Sequence, residues 1–231
     1  MVIEDKDLGE IRLVENTRAR RIIVRRKDGY FQLTHPPSVS ISYIEKVVME
    51  MKPRLLKMAE KKSEPNIFTL QTDFRTFSFT LKILESNSIS NHYMNLKDGI
   101  LSISCPAGTD FSDQKTQSVI RQLIEKALRY EANRLFPSKV KTFAQDKGFS
   151  VNSIKINKSR SRWGSCNSKK NINLSYFCML LPEHLIDFVI LHELCHTVEM
   201  NHGERFWKLL DKVSGNKAKE LTKELKDFKI K

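Results

Sequence analysis

His192, Glu193 and His196 spell H-E-x-x-H, and His202 follows after five more residues. On a helix, residues four apart lie one above the other. The two imidazoles can therefore aim at a single point, while Glu193 stands about 100° around the axis. Two nitrogen ligands and a carboxylate beside a metal-bound water are what a zinc hydrolase needs. A catalytic zinc takes three protein ligands and keeps one position open. His202 is the natural third ligand. Glu199, three residues past His196, competes for that place or accepts a hydrogen bond behind a ligand, and Glu220 and Glu224 are remoter options. The expected cofactor is one Zn2+ per chain, or another divalent metal suited to the same donors.

The interval from second to third histidine is also the metzincin interval. Glu199 stands where that motif has glycine, however, and no methionine follows His202 to supply a Met-turn. Cys195 lies between the ligand turns and points away from the metal on a regular helix; it is expected to pack, as are Cys105 and Cys178.

The stretch Ser159 to Cys166 is the second unusual one. Arg162 beside Trp163, with Gly164 next, implies a backbone that approaches something closely and a guanidinium against an aromatic face. Arg162, with Arg160 behind it, is a candidate electrophile or anion clamp for charge developing on a substrate. The other reading is a tight structural loop with Trp163 filling the core.

The elements that must position these groups follow from periodicity and turn chemistry. Ile22–Val24 and Tyr30–Thr34 flank Lys27-Asp28-Gly29, a hairpin signal because Asp-Gly supplies positive φ. Ser42 and Glu45 form a capping-box pair that opens a helix, with Pro53 expected to kink or divide it. Lys97-Asp98-Gly99 repeats the turn about seventy residues later, between another pair of strand-like runs, and Pro106 and a long helix follow. The two hairpins are expected to share one sheet. Phe77, Phe79, Leu81 and Ile83 alternate as a strand with one buried face. The helix from about Ser112 should kink or restart at Pro137 and stop at Gly148. Ser153–Ile156 pairs with Asn171–Leu174, and Pro182 suits the first turn of the helix carrying His192. Phe206, Trp207, Leu210 and Val213 stripe another helix, and residues 217–231 form a peripheral one.

The composition bounds the function. A net charge of +13 favours anionic metabolites or polyanions as partners, concentrated in Arg18, Arg20, Arg21, Arg25, Arg26, Lys27 and in Lys155, Lys158, Arg160, Arg162, Lys169, Lys170. Little aromatic interleaving accompanies these runs, which disfavours single-strand nucleic-acid binding. Lys and Arg on sheet edges also discourage edge pairing. Four cysteines without C-x-x-C spacing read as reduced thiols of a cytoplasmic protein. The acidic, polar N-terminus is no signal peptide, and no apolar run approaches the roughly 18 residues of a membrane span.

Several of these motifs, taken in order, resemble one family. Ser161-Arg162-Trp163-Gly164-Ser165-Cys166, Ile172-Asn173-Leu174, Pro182, Ile186-Asp187-Phe188-Val189, His192-Glu193-Leu194-Cys195-His196, Asn201-His202-Gly203 and Phe206-Trp207 are similar to the YgjP-type metal-dependent hydrolases, relatives of the SprT and WLM zincin-like domains. Arg20-Arg21-Ile22 and His35-Pro36-Pro37 extend the resemblance upstream, so that it covers about residues 12–210. It implies His192, His196 and His202 as ligands and Glu193 as acid/base. Gly203 departs from the serine common after the third histidine. Glu199, Arg160, Trp163 and Asn201 are further candidates for contacts behind the ligands or to substrate.

The expected fold is α+β: a hairpin-rich part with helices over residues 1–111, and a zincin-like helical metal-site domain with a small sheet over 112–231, either as two domains or packed as one unit. The expected function is zinc-dependent hydrolysis of a peptide. The alternatives are a nucleoside triphosphate (UTP) pyrophosphatase on the same site, an activity ascribed to some members of the family, and a basic nucleic-acid-binding module with a structural zinc.

Overall fold

The computed structural model describes residues 1–27, 30–60 and 67–228. The fold is α+β, in two compact units, Met1–Asn66 and Ile67–Lys231.

In the first unit β1 (Val2–Asp5), β2 (Gly9–Glu15), β3 (Ile23–Arg26) and β4 (Phe31–His35) form a sheet in the order β1-β2-β4-β3, followed by α1 (Ile41–Glu60). Alternation along β4 buries Phe31, Leu33 and His35. Phe31 and Leu33 join Ile11 of β2 and Ile44, Val48 and Leu55 of α1 in one core. The α1 cap differs from expectation. Ser40, not Ser42, closes the first turn, its Oγ accepting from the Tyr43 N–H at 3.3 Å. The helix runs through Pro53 without dividing, and residues Asp28 and Gly29 of the first turn lie outside the described ones.

The second unit begins with β5 (Thr80–Ser86), β6 (Tyr93–Lys97) and β7 (Ile100–Pro106), in the order β5-β7-β6. Asp98 and Gly99 both have positive φ (50° and 73°), as the tight hairpin turn demands. α2 (Gln114–Lys147) follows. Asp113 caps its start through the Thr116 N–H at 2.8 Å, and Gly148, at φ 73°, ends it. Pro137 does not interrupt it. Next come β8 (Ser153–Asn157), β9 (Gly164–Cys166) and β10 (Asn171–Ser175), in the order β8-β10-β9, a 3-10 turn at Tyr176–Leu180, then α3 (Glu183–Cys195), α4 (Glu204–Val213) and α5 (Ala218–Asp227).

Two expectations are corrected. The two Asp-Gly hairpins lie in different sheets, β3–β4 in one and β6–β7 in another. The chain also divides at 66/67 instead of 111/112. The physical reason is burial: Leu81, Ile83, Leu101 and Ile103 of the middle sheet share one core with Ile120, Ile124 and Leu128 of α2 and with Leu185, Ile186, Val189 and Ile190 of α3.

All three sheets contain the same module. The first strand runs parallel to the third and the second antiparallel to it: β2, β3, β4; then β5, β6, β7; then β8, β9, β10. The turn leaving the first strand is also shared. The Arg18 N–H donates to Asn16 Oδ1 at 2.9 Å, Ser88 N–H to Ser86 Oγ at 3.3 Å, and Ser159 N–H to Asn157 Oδ1 at 2.9 Å. A helix follows each module, α1, α2 or α3. Among the described residues, no helix is long and apolar enough to cross a membrane.

Candidate metal centre

α3 is apolar around most of its circumference, and Leu185, Ile186, Phe188, Val189, Ile190, Leu191 and Leu194 are all buried. A helix apolar on every side is a buried helix. Lys139 of α2 fixes its start, reaching Glu183 Oε1 at 2.8 Å and Asp187 Oδ1 at 2.7 Å. His192 lies in the last turn and His196 at the C-cap.

The chain then turns so that His202, just ahead of α4, comes back to the same point. The three Nε2 atoms form a triangle: 3.2 Å from His192 to His196, 3.1 Å from His196 to His202, and 3.1 Å from His202 to His192. Nitrogens bound at 2.0–2.1 Å around a tetrahedral zinc sit about 3.3 Å apart. The donor set therefore fits a metal ion. The rings are held from behind. His196 Nδ1 donates to the Glu199 carbonyl oxygen at 3.0 Å, which leaves Nε2 with its lone pair free. Trp207 Nε1–H donates to the His202 carbonyl oxygen at 3.1 Å. Phe206, fully buried, packs against all three imidazoles with ring centroids 4.5–4.9 Å away.

Burial and the two neighbouring imidazoles push the His192 pKa down to about 4, and burial also lowers that of His196. Both rings are thus neutral, as metal ligation requires. Glu193 is 5% exposed. Burial drives its carboxyl up to about 8 against the pull of the Arg162 charge. Its Oε2 is buried without a hydrogen-bond partner among the described residues, and its carboxylate lies over the α-carbon of Gly164 in β9.

A family model described as YgjP-like, metallopeptidase domain, matches residues 19–228. The chain belongs to this YgjP-like family. Membership makes it a metal-dependent hydrolase, and the divalent ion that a metallopeptidase uses has a ready set of donors in the histidine triangle. None of the curated proteins matches the chain. Two solved structures resemble part of it. The metallopeptidase zymogen abylysin of Pyrococcus abyssi is 21% identical over 38% of this chain and 90% of its own, with a TM-score of 0.35. The metallopeptidase zymogen jannalysin of Methanocaldococcus jannaschii is 24% identical over 39% of this chain and 93% of its own, with a TM-score of 0.34.

Within the second unit, the other sequence candidates divide. Arg162 is exposed and close enough for its charge to be felt at Glu193, with no hydrogen bond or ion pair between them among the described residues. Arg160 is engaged with α2. Its guanidinium pairs with Glu125 of α2 and lies over the Phe177 ring at 4.4 Å, because Glu125 also gathers Lys158 and the Tyr176 hydroxyl. Trp163 packs on the main core, and its carbonyl accepts from the Ser175 N–H at 2.8 Å. Glu199 contributes its backbone carbonyl to His196; its carboxylate is not in the donor cluster. Glu224 pairs with His184 at 2.8 Å. Asn201 is exposed and accepts the Gly203 N–H through its backbone at 2.8 Å. Burial raises the thiols of Cys105, Cys166 and Cys178, and takes Cys195 up to about 12, so burial favours the protonated form of each.

Three contributors carry little sequence signal for these roles. Phe206 and Trp207 are legible only as core positions of a helix. Gly164 carries a usable signal, a glycine whose setting implies close approach, but nothing in the sequence names Glu193 as the group approaching.

Proposed function

We propose that the chain is a zinc peptidase in which His192, His196 and His202 hold the metal and Glu193 moves the proton. The observation that carries this reading is the triangle of three Nε2 atoms 3.1–3.2 Å apart, with the buried Glu193 carboxylate one residue from the first of them. When bound, zinc supplies Lewis acidity, lowering the pKa of a coordinated water toward about 7 and polarising a carbonyl.

The chain's own groups do the rest. Glu193 accepts a proton from the attacking water at its carboxylate and returns it to the leaving amine. Burial raises this carboxyl in the metal-free chain, and a dication held by the three histidines would favour its charged form, the one that accepts the proton. His196 is kept in one tautomer by the Glu199 carbonyl. Arg162, exposed near Glu193 and without an ion pair among the described residues, meets negative charge developing on the substrate. Three protein ligands leave a coordination place for substrate, whereas a structural zinc needs a fourth. Four free thiols favour a reducing compartment, and we assign the protein to the cytoplasm on that ground.

The same Arg162, in a chain of net charge +13, also suits phosphoryl oxygens, so a nucleoside triphosphate is the second reading. Zinc-loaded protein is to be assayed against labelled casein and against UTP, with Glu193→Gln as control. Casein cleavage that falls about 10²- to 10⁴-fold in Glu193→Gln, with zinc still bound, supports the peptidase. Turnover of UTP alone, lost in Arg162→Ala, replaces it with the pyrophosphatase. Full turnover in Glu193→Gln removes the role given to that residue.

A further inference from the structure

Gly164 has no need of glycine's backbone freedom, since its φ lies outside the left-handed region. Space is what it provides. A Cβ built there would lie 2.5 Å from Glu193 Oε1, 2.7 Å from Cγ and 2.8 Å from Cδ, closer than real Cβ atoms come.

The two other copies of the module show what that position holds when no Glu193 faces it. Gly164 pairs with Leu174, Met94 with Ile103, and Val24 with Leu33. The partners are equivalent: each lies two residues beyond a parallel pair, Ile154 with Ile172, Leu81 with Leu101, and Ile11 with Phe31. Directly opposed residues of antiparallel strands share a face, and Leu33, Ile103 and Leu174 are all buried. Val24 and Met94 accordingly pack against the cores beneath their own sheets. In the third module the equivalent space is taken by the Glu193 carboxylate, reaching across from α3.

We propose that Gly164 is a positioning residue of the metal centre: the third module gives up the apolar side chain of its siblings so that β9 can seat Glu193 in one orientation. The geometry of the seat stands independently, and its catalytic consequence rests on the hydrolase reading above. Relieving a 2.5 Å contact to an ordinary one moves the carboxylate by about 1 Å, a displacement that costs about 10²-fold in rate when the group is catalytic.

The test is a cycle of Gly164→Ala, Glu193→Ala and the double variant in the full chain. In the metal-free proteins, Gly164→Ala is expected to lower the thermal midpoint by about 5 °C when Glu193 is present. In the Glu193→Ala background, where the carboxylate no longer fills the space, the same substitution should leave the midpoint unchanged or raise it. Zinc affinity of Gly164→Ala should stay within about threefold of the parent, because no ligand moves, while kcat on labelled casein falls about 10²-fold with KM little altered. A Gly164→Ala protein that fails to fold while the double variant folds also supports the seat. Equal thermal losses in both backgrounds, failure of both to fold, or an unchanged kcat overturns the proposal. If the parent does not cleave casein, the peptidase reading has failed, and the thermal cycle still decides the question of Gly164.

Discussion

His196 and His202 are each oriented by a bond that involves no metal: one through Nδ1 to the Glu199 carbonyl, the other through its own carbonyl to Trp207 Nε1–H. Groups behind the ligands matter because they fix ring orientation before the ion arrives. Trp207→Phe keeps an aromatic ring at that place and removes only the donor. Zinc affinity should fall about 10-fold with little change in thermal stability, as competition against a chelating indicator would register. Phe206→Ala, by contrast, removes the floor under all three rings and should cost about 3–5 kcal/mol in denaturant titrations. At this scale the pairing of His192 with His196 is readable from sequence because helical spacing alone puts the two rings together. Glu199 is readable as an acceptor behind a ring, though not that its backbone carbonyl does the accepting; the roles of Trp207 and Phe206 are not readable, since they depend on the turn that leads into α4.

At the scale of elements, α4 begins just after Gly203. Gly203 is the N-cap, has an ordinary φ of −79°, gives no side-chain cap, and has open space where a Cβ would go. Gly203→Ser should therefore stabilise the fold by a few tenths of a kcal/mol, roughly the advantage of Ser over Gly at an N-cap, read as a small rise in denaturant midpoint. A loss of stability would mean that the seryl side chain disturbs the ligand turn. Turn chemistry makes Asp98-Gly99 readable, and apolar periodicity does the same for α2 and α3. β9 reads as loop because three residues show no period, and β1 gives no signal because Val2–Asp5 is short and half polar. Pro53 and Pro137 carry a helix-breaking signal, yet α1 and α2 both absorb them.

For the molecule as a whole, the buried site makes stability depend on pH. Glu193 has a folded pKa of about 8 against an ordinary 4.5, so the folded state binds its proton more tightly than the unfolded one. That contribution is complete below about 4.5 and is lost as pH rises through about 8. His192 runs the other way: at about 4 against 6.5, its contribution is present above 6.5 and is lost as pH falls through about 4. Between pH 6.5 and 8 only the Glu193 effect operates of these two. The metal-free protein should therefore lose stability across that window in chelator, and Glu193→Gln should flatten the profile. The α+β class is legible from the alternation of strand-like and helical runs. The division at 66/67 is not, because the second hairpin looks like the first in sequence and differs only in which helix covers it.

The proposed metal centre stands on three histidines, with His202 as the third. Calorimetric titration of the metal-free chain with zinc tests it most directly. One ion per chain is expected, with undiminished binding in Glu193→Gln and a loss of at least about 10²-fold in affinity in His202→Ala. Zinc bound as tightly by His202→Ala as by the parent would contradict it.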